Sequence, residues 1–310
     1  MQALLDTIAR LTRPTDAQRV FHGRGGQHPG CEHWTLDAYP PVWLLTCFGD
    51  TDETTVATLH AALAARWQAI APGEPLNLVL QLRQPTRSET RLLCGAVPEP
   101  HEVSEAGVRY RVHLLRGQNH GLFLDMAEGR RWLREQAQGA KVLNLFAYTC
   151  AFSVAALQGG ARSVLNVDMA SGALATGQQN HALNGLAGRV RFLPHDIFKS
   201  WGKLTRGGPY DIVVVDPPSY QKGSFVATKD YARLLRRLPD LLAPNGRAML
   251  CLNAPELGSD FLQGLVYEHA PGLRFEQRLP NPTAFADTNP ERALKVLIYR
   301  EPPLATPTTG

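Results

Sequence analysis

Two carboxylates frame the chemistry this sequence could carry. Asp168 closes the stretch KVLNLFAYTCAFSVAALQGGARSVLNVD, and Asp216 begins the loop of YDIVVVDPPSY. In the first stretch an apolar run, Val142 to Phe146, leads through a small-residue turn, Ala147 to Ala151, into a helical pattern ended by Gly159-Gly160. A second apolar run, Ser163 to Val167, stops at the acid. That is strand, turn, helix, strand in about thirty residues, the length of a βαβ unit. In open α/β sheets the ligand lies across the carboxyl ends of the strands, where an acid can accept from both hydroxyls of a ribose. A pyrophosphate needs a glycine-rich turn that lets backbone N–H groups approach it. The turn Phe146-Ala147-Tyr148-Thr149-Cys150 has no glycine. Its bulk suits a nucleoside ligand without phosphate, and S-adenosylmethionine is such a ligand.

The second stretch supports that reading. Asp211 to Val215 is an apolar run of the fully buried, parallel-sheet kind. It stops at Asp216-Pro217-Pro218, where two prolines without N–H groups stiffen the loop. Ser219-Tyr220 then presents a hydroxyl and an aromatic face. An acid-Pro-Pro-aromatic loop at a strand end resembles the substrate-base loop of nucleic-acid base methyltransferases.

The elements needed to position these acids are readable along the chain. Its 310 residues leave room for two domains. The 44% hydrophobic and 19% charged content is that of a soluble globular protein. No apolar run approaches the roughly 20 residues that span a bilayer, and the N-terminus lacks a signal-peptide core. The cysteines (Cys31, Cys47, Cys94, Cys150, Cys251) are scattered and odd in number, as expected of reduced thiols in a cytoplasmic protein. A net charge of +4 permits a nucleic-acid partner without demanding one.

Residues 1–18 read as a helix, and a basic, glycine-rich loop, FHGRGGQHPG, follows. Strands are expected at 34–37, 42–48, 76–82 and 92–97, a helix at 54–70 and a polar loop at 84–91. Val108 to Leu115 reads as a hairpin arm. From Lys141 strands are expected near 141–146, 163–167, 189–193, 211–215, 246–252, 273–278 and 293–299, with helices between them, for example 171–184 and 231–242. The fold class expected is therefore α/β: a doubly wound, seven-stranded, Rossmann-like sheet over 105–300, preceded by a smaller α+β domain over 1–104. A Pro/Thr-rich tail, 301–310, is expected to be disordered.

Residues 105–300 resemble the bacterial large-subunit ribosomal RNA methyltransferases of the class I S-adenosylmethionine type. That group includes a cytosine-C5 enzyme and the guanine-N7 domain of a bifunctional enzyme. The matching pieces are GLFLD (121–125), NLFAYT (144–149), GGARSVLNVDMA (159–170), NHALNGL (180–186), DPPSY (216–220) and FADTNPERALK (285–295). The resemblance implies cofactor roles: Phe123 and Asp125 at the methionine end, Asn144, Phe146 and Tyr148 as the floor, Asp168 on the ribose and Met169 against adenine. It further implies Asp196 at the adenine amino group with Ile197 beside it, and Asp216 near the sulfonium. Read alone, Asp196 could be a helix N-cap before Ile197-Phe198.

The resemblance has departures. The cytosine-C5 enzyme attacks the base with a cysteine after the strand that follows the substrate loop, and that chemistry needs a thiolate. Here that stretch is MLCLNAPELG, where Cys251 falls about three residues early and reads as a small buried residue. Asn253 fits the guanine-N7 pattern better. N7 carries a free lone pair, so transfer needs only positioning. Asp216, Pro217, Pro218, Tyr220 and Asn253 are the expected catalytic set, with Tyr220 stacking on a flipped base.

The cytosine-C5 enzyme begins with a PUA domain, and none is evident here. FHGRGGQHPG could instead face RNA, Arg24 on phosphate and His22 and His28 on bases. His22, His28 and His33, with only Cys31 nearby, do not make a metal set. Lys222, Lys229, Arg233, Arg236 and Arg237 could track an RNA backbone or form a solvated helix face. The reading is base methylation of RNA, with 23S rRNA as substrate and guanine N7 ahead of cytosine C5. Its rivals are amino-group methylation of DNA or protein, and a non-catalytic RNA-binding protein.

Overall fold

The computed structural model describes residues 1–84, 87–218, 220–221 and 225–303, with backbone only for 220–221. The expected tail lies, from residue 304 on, outside the described residues. The chain divides into two compact units: Met1–Leu124 with Pro282–Asn289, and Asp125–Asn281 with Pro290–Gly310.

The first unit runs α1 (Gln2–Ala9), β1 (Gln18–His22), β2 (Trp34–Tyr39), β3 (Val42–Cys47), α2 (Glu53–Ile70), β4 (Asn77–Arg83), β5 (Ser88–Cys94), β6 (His101–Glu105) and β7 (Val108–Val112). The first five strands form one sheet in sequence order, antiparallel except for the β3–β4 pair. One face of that sheet packs on the helices through Leu36, Leu45, Leu78 and Leu80 against Leu4, Ile8, Leu59 and Leu63. Asp52 caps α2 by accepting from Thr55 N–H at 2.7 Å.

Four expectations are corrected here. The first helix stops at Ala9, because Pro14 follows closely; the Arg66 guanidinium satisfies the Leu11 carbonyl instead. Residues 18–22, read as the start of a loop, form a strand whose bulge between Arg19 and Phe21 breaks the alternation. Residues 88–94 pair with β4 despite their polar composition, because an edge strand needs only one buried face. The β6–β7 hairpin also belongs to this unit rather than opening the second at residue 105. Ala17 N–H donates to Ser104 O at 2.7 Å, and His101 Nε2 bonds Tyr39 O at 3.0 Å.

The second unit contains α3 (Ala127–Gln136), β8 (Lys141–Leu145), α4 (Ala151–Gln158), β9 (Ser163–Asp168), α5 (Ser171–Leu183), β10 (Val190–Pro194), α6 (Trp201–Gly207), β11 (Tyr210–Val215), β12 (Tyr220–Gln221), β13 (Phe225–Val226), α7 (Ala227–Leu235), β14 (Leu242–Leu252), α8 (Ser259–His269), β15 (Arg274–Leu279) and β16 (Lys295–Arg300). Seven of these strands form one sheet, ordered β10-β9-β8-β11-β14-β16-β15, as expected of a doubly wound sheet. The order reverses between β8 and β11, the place where such sheets bind ligands. Apolar clusters line both faces: Leu143, Leu145, Val213 and Val215 on one, and Val142, Val164, Ile212 and Val214 on the other. The helix expected at 231–242 instead runs Ala227–Leu235. Asp230 Oδ2 accepts from Val226 N–H at 2.9 Å at its start, and Pro239 forbids its extension.

Candidate active site

Register brings the candidate acids into one row. Pro194 pairs with Asp168, Leu145 with Val167, Val215 with Leu145 and Leu250 with Val215. One residue further, Asp168, Phe146, Asp216 and Cys251 lie side by side along the carboxyl edge, with Asp196 just beyond β10. Four separate strand ends thus supply one surface.

The turn after β8 adopts a conformation its sequence does not advertise. Phe146 (φ 58°), Tyr148 (φ 46°) and Cys150 (φ 62°) are all left-handed, a region that favours glycine. Such strain persists only when the surroundings over-determine it. Asp168 Oδ2 accepts from Tyr148 N–H at 2.8 Å, and Ala147 N–H donates to Val167 O at 3.1 Å. Asn180 Nδ2 donates to Thr149 O at 2.9 Å. Gly177 of α5 lies so close that a Cβ there would be 2.5 Å from Cys150 Sγ.

Beneath the turn runs a buried polar chain. Asn144 Nδ2 donates to Asn166 Oδ1 (2.8 Å), Asn166 Nδ2 to Ser153 Oγ (2.9 Å), and Ser153 Oγ bonds His181 Nε2 (2.8 Å). His181 Nδ1 lies 2.6 Å from Gly177 O. That carbonyl can only accept, so Nδ1 carries the proton, Nε2 accepts, and Ser153 donates to it. Burial lowers the His181 pKa and favours this neutral form. Ser153, Asn166, Asn180 and His181 carried no assigned role in the sequence. NHALNGL signalled the last two as a motif, but their contacts are visible only in three dimensions.

Asn144, expected in the floor, heads this chain. It is 1% exposed, and its Oδ1 has no partner among the described residues. Phe146 makes an edge contact with buried Phe225 at 5.3 Å, beside Phe198 and Tyr231.

Asp168 uses each carboxylate oxygen once: Oδ2 for Tyr148 N–H and Oδ1 for Ala170 N–H at 2.8 Å. Lone pairs remain for two vicinal hydroxyls. Met169, beside it, is 54% exposed, an apolar side chain left open at the strand end. These residues fit the nucleoside part of S-adenosylmethionine. Asp196 caps the short 3-10 turn Ile197–Lys199, its Oδ1 accepting from Phe198 N–H at 2.9 Å. Its Oδ2 lies 3.6 Å from Lys199 Nζ. Ile197 is buried in the core beneath.

Asp216 lies at the centre of the edge. Burial and neighbouring Asp125 push its carboxyl up to about 7, while Arg130 and a hydrogen bond from the Cys251 thiol pull it down. Cys251 is fully buried, and burial with Asp216 beside it holds the thiol well above its usual value. Tyr231 donates its hydroxyl to Cys251 O in a short bond. Arg130, Cys251 and Tyr231 are thus site neighbours without an expected cofactor or catalytic role. Arg130, from RRW, had no spacing signal.

Pro217 is buried and Pro218 half-buried. The loop returns through the β12–β13 ladder, Tyr220 opposite Val226 and Gln221 opposite Phe225. Ser219, residues 222–224 and the Tyr220 side chain lie outside the described residues. Asn253 is exposed just after β14. The next carbonyl, Ala254 O, accepts from Lys295 Nζ at 2.7 Å, and Lys295 also donates to Glu291 O at 2.9 Å. Lys295 is fully buried, so these bonds fix the Asn253-Ala254 backbone from below. Of the basic run, Arg233 pairs with Asp230 at 2.9 Å and covers Phe198 at 4.3 Å, and Arg237 lies 3.8 Å from Asp240. Phe123, exposed, belongs to the first unit.

A family model described as S-adenosylmethionine-dependent methyltransferase matches residues 18–300. Over 168 residues the chain is 38% identical to the ribosomal RNA large subunit methyltransferase K/L of Psychrobacter sp., covering 52% of this chain and 21% of that protein. Over 275 residues it is 27% identical to the ribosomal RNA large subunit methyltransferase I of Erwinia tasmaniensis, covering 87% of this chain and 68% of that protein. A solved methyltransferase complexed with SAH matches with a TM-score of 0.79 and 27% identity, covering 93% of this chain and 76% of the other. The chain spans 21% to 55% of the length of the first curated relatives it matches.

Proposed function

Because the chain belongs to the S-adenosylmethionine-dependent methyltransferase family, we propose that it methylates a base of large-subunit (23S) ribosomal RNA in the cytoplasm, at guanine N7. The state of Cys251 carries this reading. Attack on C6 of cytosine requires a thiolate. The Cys251 thiol is fully buried, donates to Asp216 and is held protonated. Cys150, also buried, has its thiol pushed well up by burial and by Asp168. An acceptor that already owns a lone pair asks only for alignment with the sulfonium. Asp216 would offset that positive charge. Asn253, on a backbone anchored by Lys295, offers an amide to the base edge. Asp168 and Met169 would hold ribose and adenine, and Phe123 and Asp125 the methionine end.

Amino-group transfer is the second reading, favoured by the raised Asp216 carboxyl, which could accept an N–H hydrogen bond from an exocyclic amine. Mass mapping of nucleosides in large-subunit rRNA, from cells with and without the protein, separates these readings. Loss of one N7-methylguanine supports the proposal. Loss of one 5-methylcytosine overturns the reading of Cys251, and an unchanged nucleoside set removes rRNA as substrate.

A further inference from the structure

Two motifs that the methyl-transfer site leaves unused meet in the first unit: the His22–Gly30 loop and the FADTN segment, residues 285–289. Thr288 N–H donates to Gly25 O at 2.8 Å, and a Cβ on Gly25 would lie 2.0 Å from Ala286 O. Glycine is therefore required for the close approach. Phe285 packs at 5.3 Å from the His22 ring and 4.4 Å beneath the Arg19 guanidinium.

The sheet face opposite the helices carries one polar row beside an apolar one, Leu44, Val79 and Leu92. Register aligns His22, Thr35, Thr46, Gln81 and Thr90 across all five strands. The bulge in β1 turns both Arg19 and His22 to this side, where Arg19 Nη1 lies 2.9 Å from His22 Nδ1. Arg19 pairs with Asp37 through two bonds, 2.7 and 2.9 Å. At the rim, Arg24 lies 4.1 Å and Arg83 5.2 Å from the centre of the Phe48 ring. Arg83 donates to Gln118 Oε1 at 3.0 Å, and no carboxylate pairs with it among the described residues. Behind them, Gln81 Oε1 and Thr35 Oγ1 are buried without hydrogen-bond partners among the described residues.

Like charges are crowded here at a cost. Burial and then Arg24 and Arg19 lower the Arg83 pKa, and burial with Arg19 and Arg24 lowers His22 to about 4. At neutral pH His22 adds no charge, while Arg19, Arg24 and Arg83 remain cationic. Guanidinium planes laid on phenylalanine rings present flat faces to which a base can stack, and forks that fit phosphate. An acidic peptide would use the charge but not the planar faces.

We propose that Arg24 and Arg83, stacked on Phe48 at the rim of this face, hold the backbone and a base of single-stranded RNA. This rests on RNA being the substrate and assigns that substrate a second hold, built by the first unit.

The test is fluorescence anisotropy of a labelled 20-nucleotide oligouridine with the full chain across a salt series. Removing one cation that neutralises a phosphate lowers the slope of log K against log salt by about 0.7 for single strands, so R24A/R83A should reduce it by about 1.4. Affinity at low salt should fall about tenfold or more, as two phosphates left without their cations imply. R206A, on exposed α6, serves as the control and should leave the slope unchanged. Cofactor calorimetry and thermal unfolding establish that each variant is folded, and the single variant R24K should keep the slope while binding more weakly for want of the stack. Salt-dependent binding by the wild type with an unchanged slope in R24A/R83A overturns this surface alone. No RNA binding by the wild type overturns the RNA substrate together with it. Displacement by oligoglutamate as effective as by unlabelled oligouridine would reassign the face to an acidic protein.

Discussion

The Cys251 thiol donates to the Asp216 carboxylate at the carboxyl edge of the sheet. A thiol so placed is a ligand of the acid, not a nucleophile. Replacing Cys251 by Ala removes one donor from the ionised carboxyl and so raises the Asp216 pKa further. We expect C251A to keep methyl-transfer activity within a few-fold at pH 8.5, where Asp216 is ionised, and to lose more at pH 7. Activity falling to background at every pH, with the variant folded, would restore the cysteine mechanism.

Asp216 also links cofactor affinity to pH. Its carboxyl, pushed up to about 7, is neutral below that value and anionic above it. S-adenosylmethionine carries a positive sulfonium, and the demethylated product does not. Affinity for the cofactor should therefore rise as pH increases from 6 to 8, by at most about tenfold per unit where one proton is coupled. Affinity for the product should change less. The stability sign is opposite. The folded state keeps the Asp216 proton to higher pH than the unfolded chain, so this group's contribution is fully present below the unfolded value and is lost as pH rises towards 7. Calorimetry with both ligands across this range checks the first claim, and denaturant titrations check the second.

How much of this was legible depended on whether the signal lay along the chain or across it. Asp168 and Asp216 could be found because each ends an apolar run, and a strand end in a parallel sheet fixes where its next side chain points. The doubly wound, seven-stranded sheet followed from strand–helix alternation. The turn after β8 was half legible: the missing glycines suggested bulk. The left-handed backbone at Phe146, Tyr148 and Cys150 could not be read, because it is imposed by Asp168, Asn180 and Gly177 from other elements. The Arg19 bulge hid β1 for a related reason, since one inserted residue breaks the alternation that announces a strand. Lys295 lay unread in the apolar run ALKVLIY, where nothing nearby in sequence points to the Ala254 carbonyl it holds.

Asp168 has two duties, and a conservative change separates them poorly. Its oxygens brace Tyr148 N–H and Ala170 N–H while facing the ribose. In D168N one oxygen becomes an NH₂ group, which cannot accept from either backbone donor and sets two donors face to face. Charge-assisted bonds contribute about 1.5–3 kcal/mol each. Loss of one such bond to the ribose should weaken S-adenosylmethionine by about 10- to 150-fold, read by calorimetry. A variant binding within twofold of wild type would remove Asp168 from the ribose site.

The buried chain from Asn144 to His181 provides a test of the turn's support that replaces no cofactor residue. Ser153 is its middle link, fully buried, accepting from Asn166 and donating to His181. S153A leaves Asn166 Nδ2 and His181 Nε2 without that partner in a dry interior. Each orphan costs about 1–3 kcal/mol, so unfolding free energy should drop by about 2–6 kcal/mol. In S153A/N166A one of the two orphans disappears with its residue, while Asn144 Nδ2 loses its acceptor. Residues in one network do not add. The double variant should therefore be less destabilised than the sum of the two singles, by about 0.5–3 kcal/mol. Cofactor affinity should fall in the same order as stability, because the braced turn carries Tyr148 and faces Asp168. Strict additivity in the cycle, or full cofactor affinity in a destabilised S153A, would mean that α4 and α5 hold the turn by packing alone.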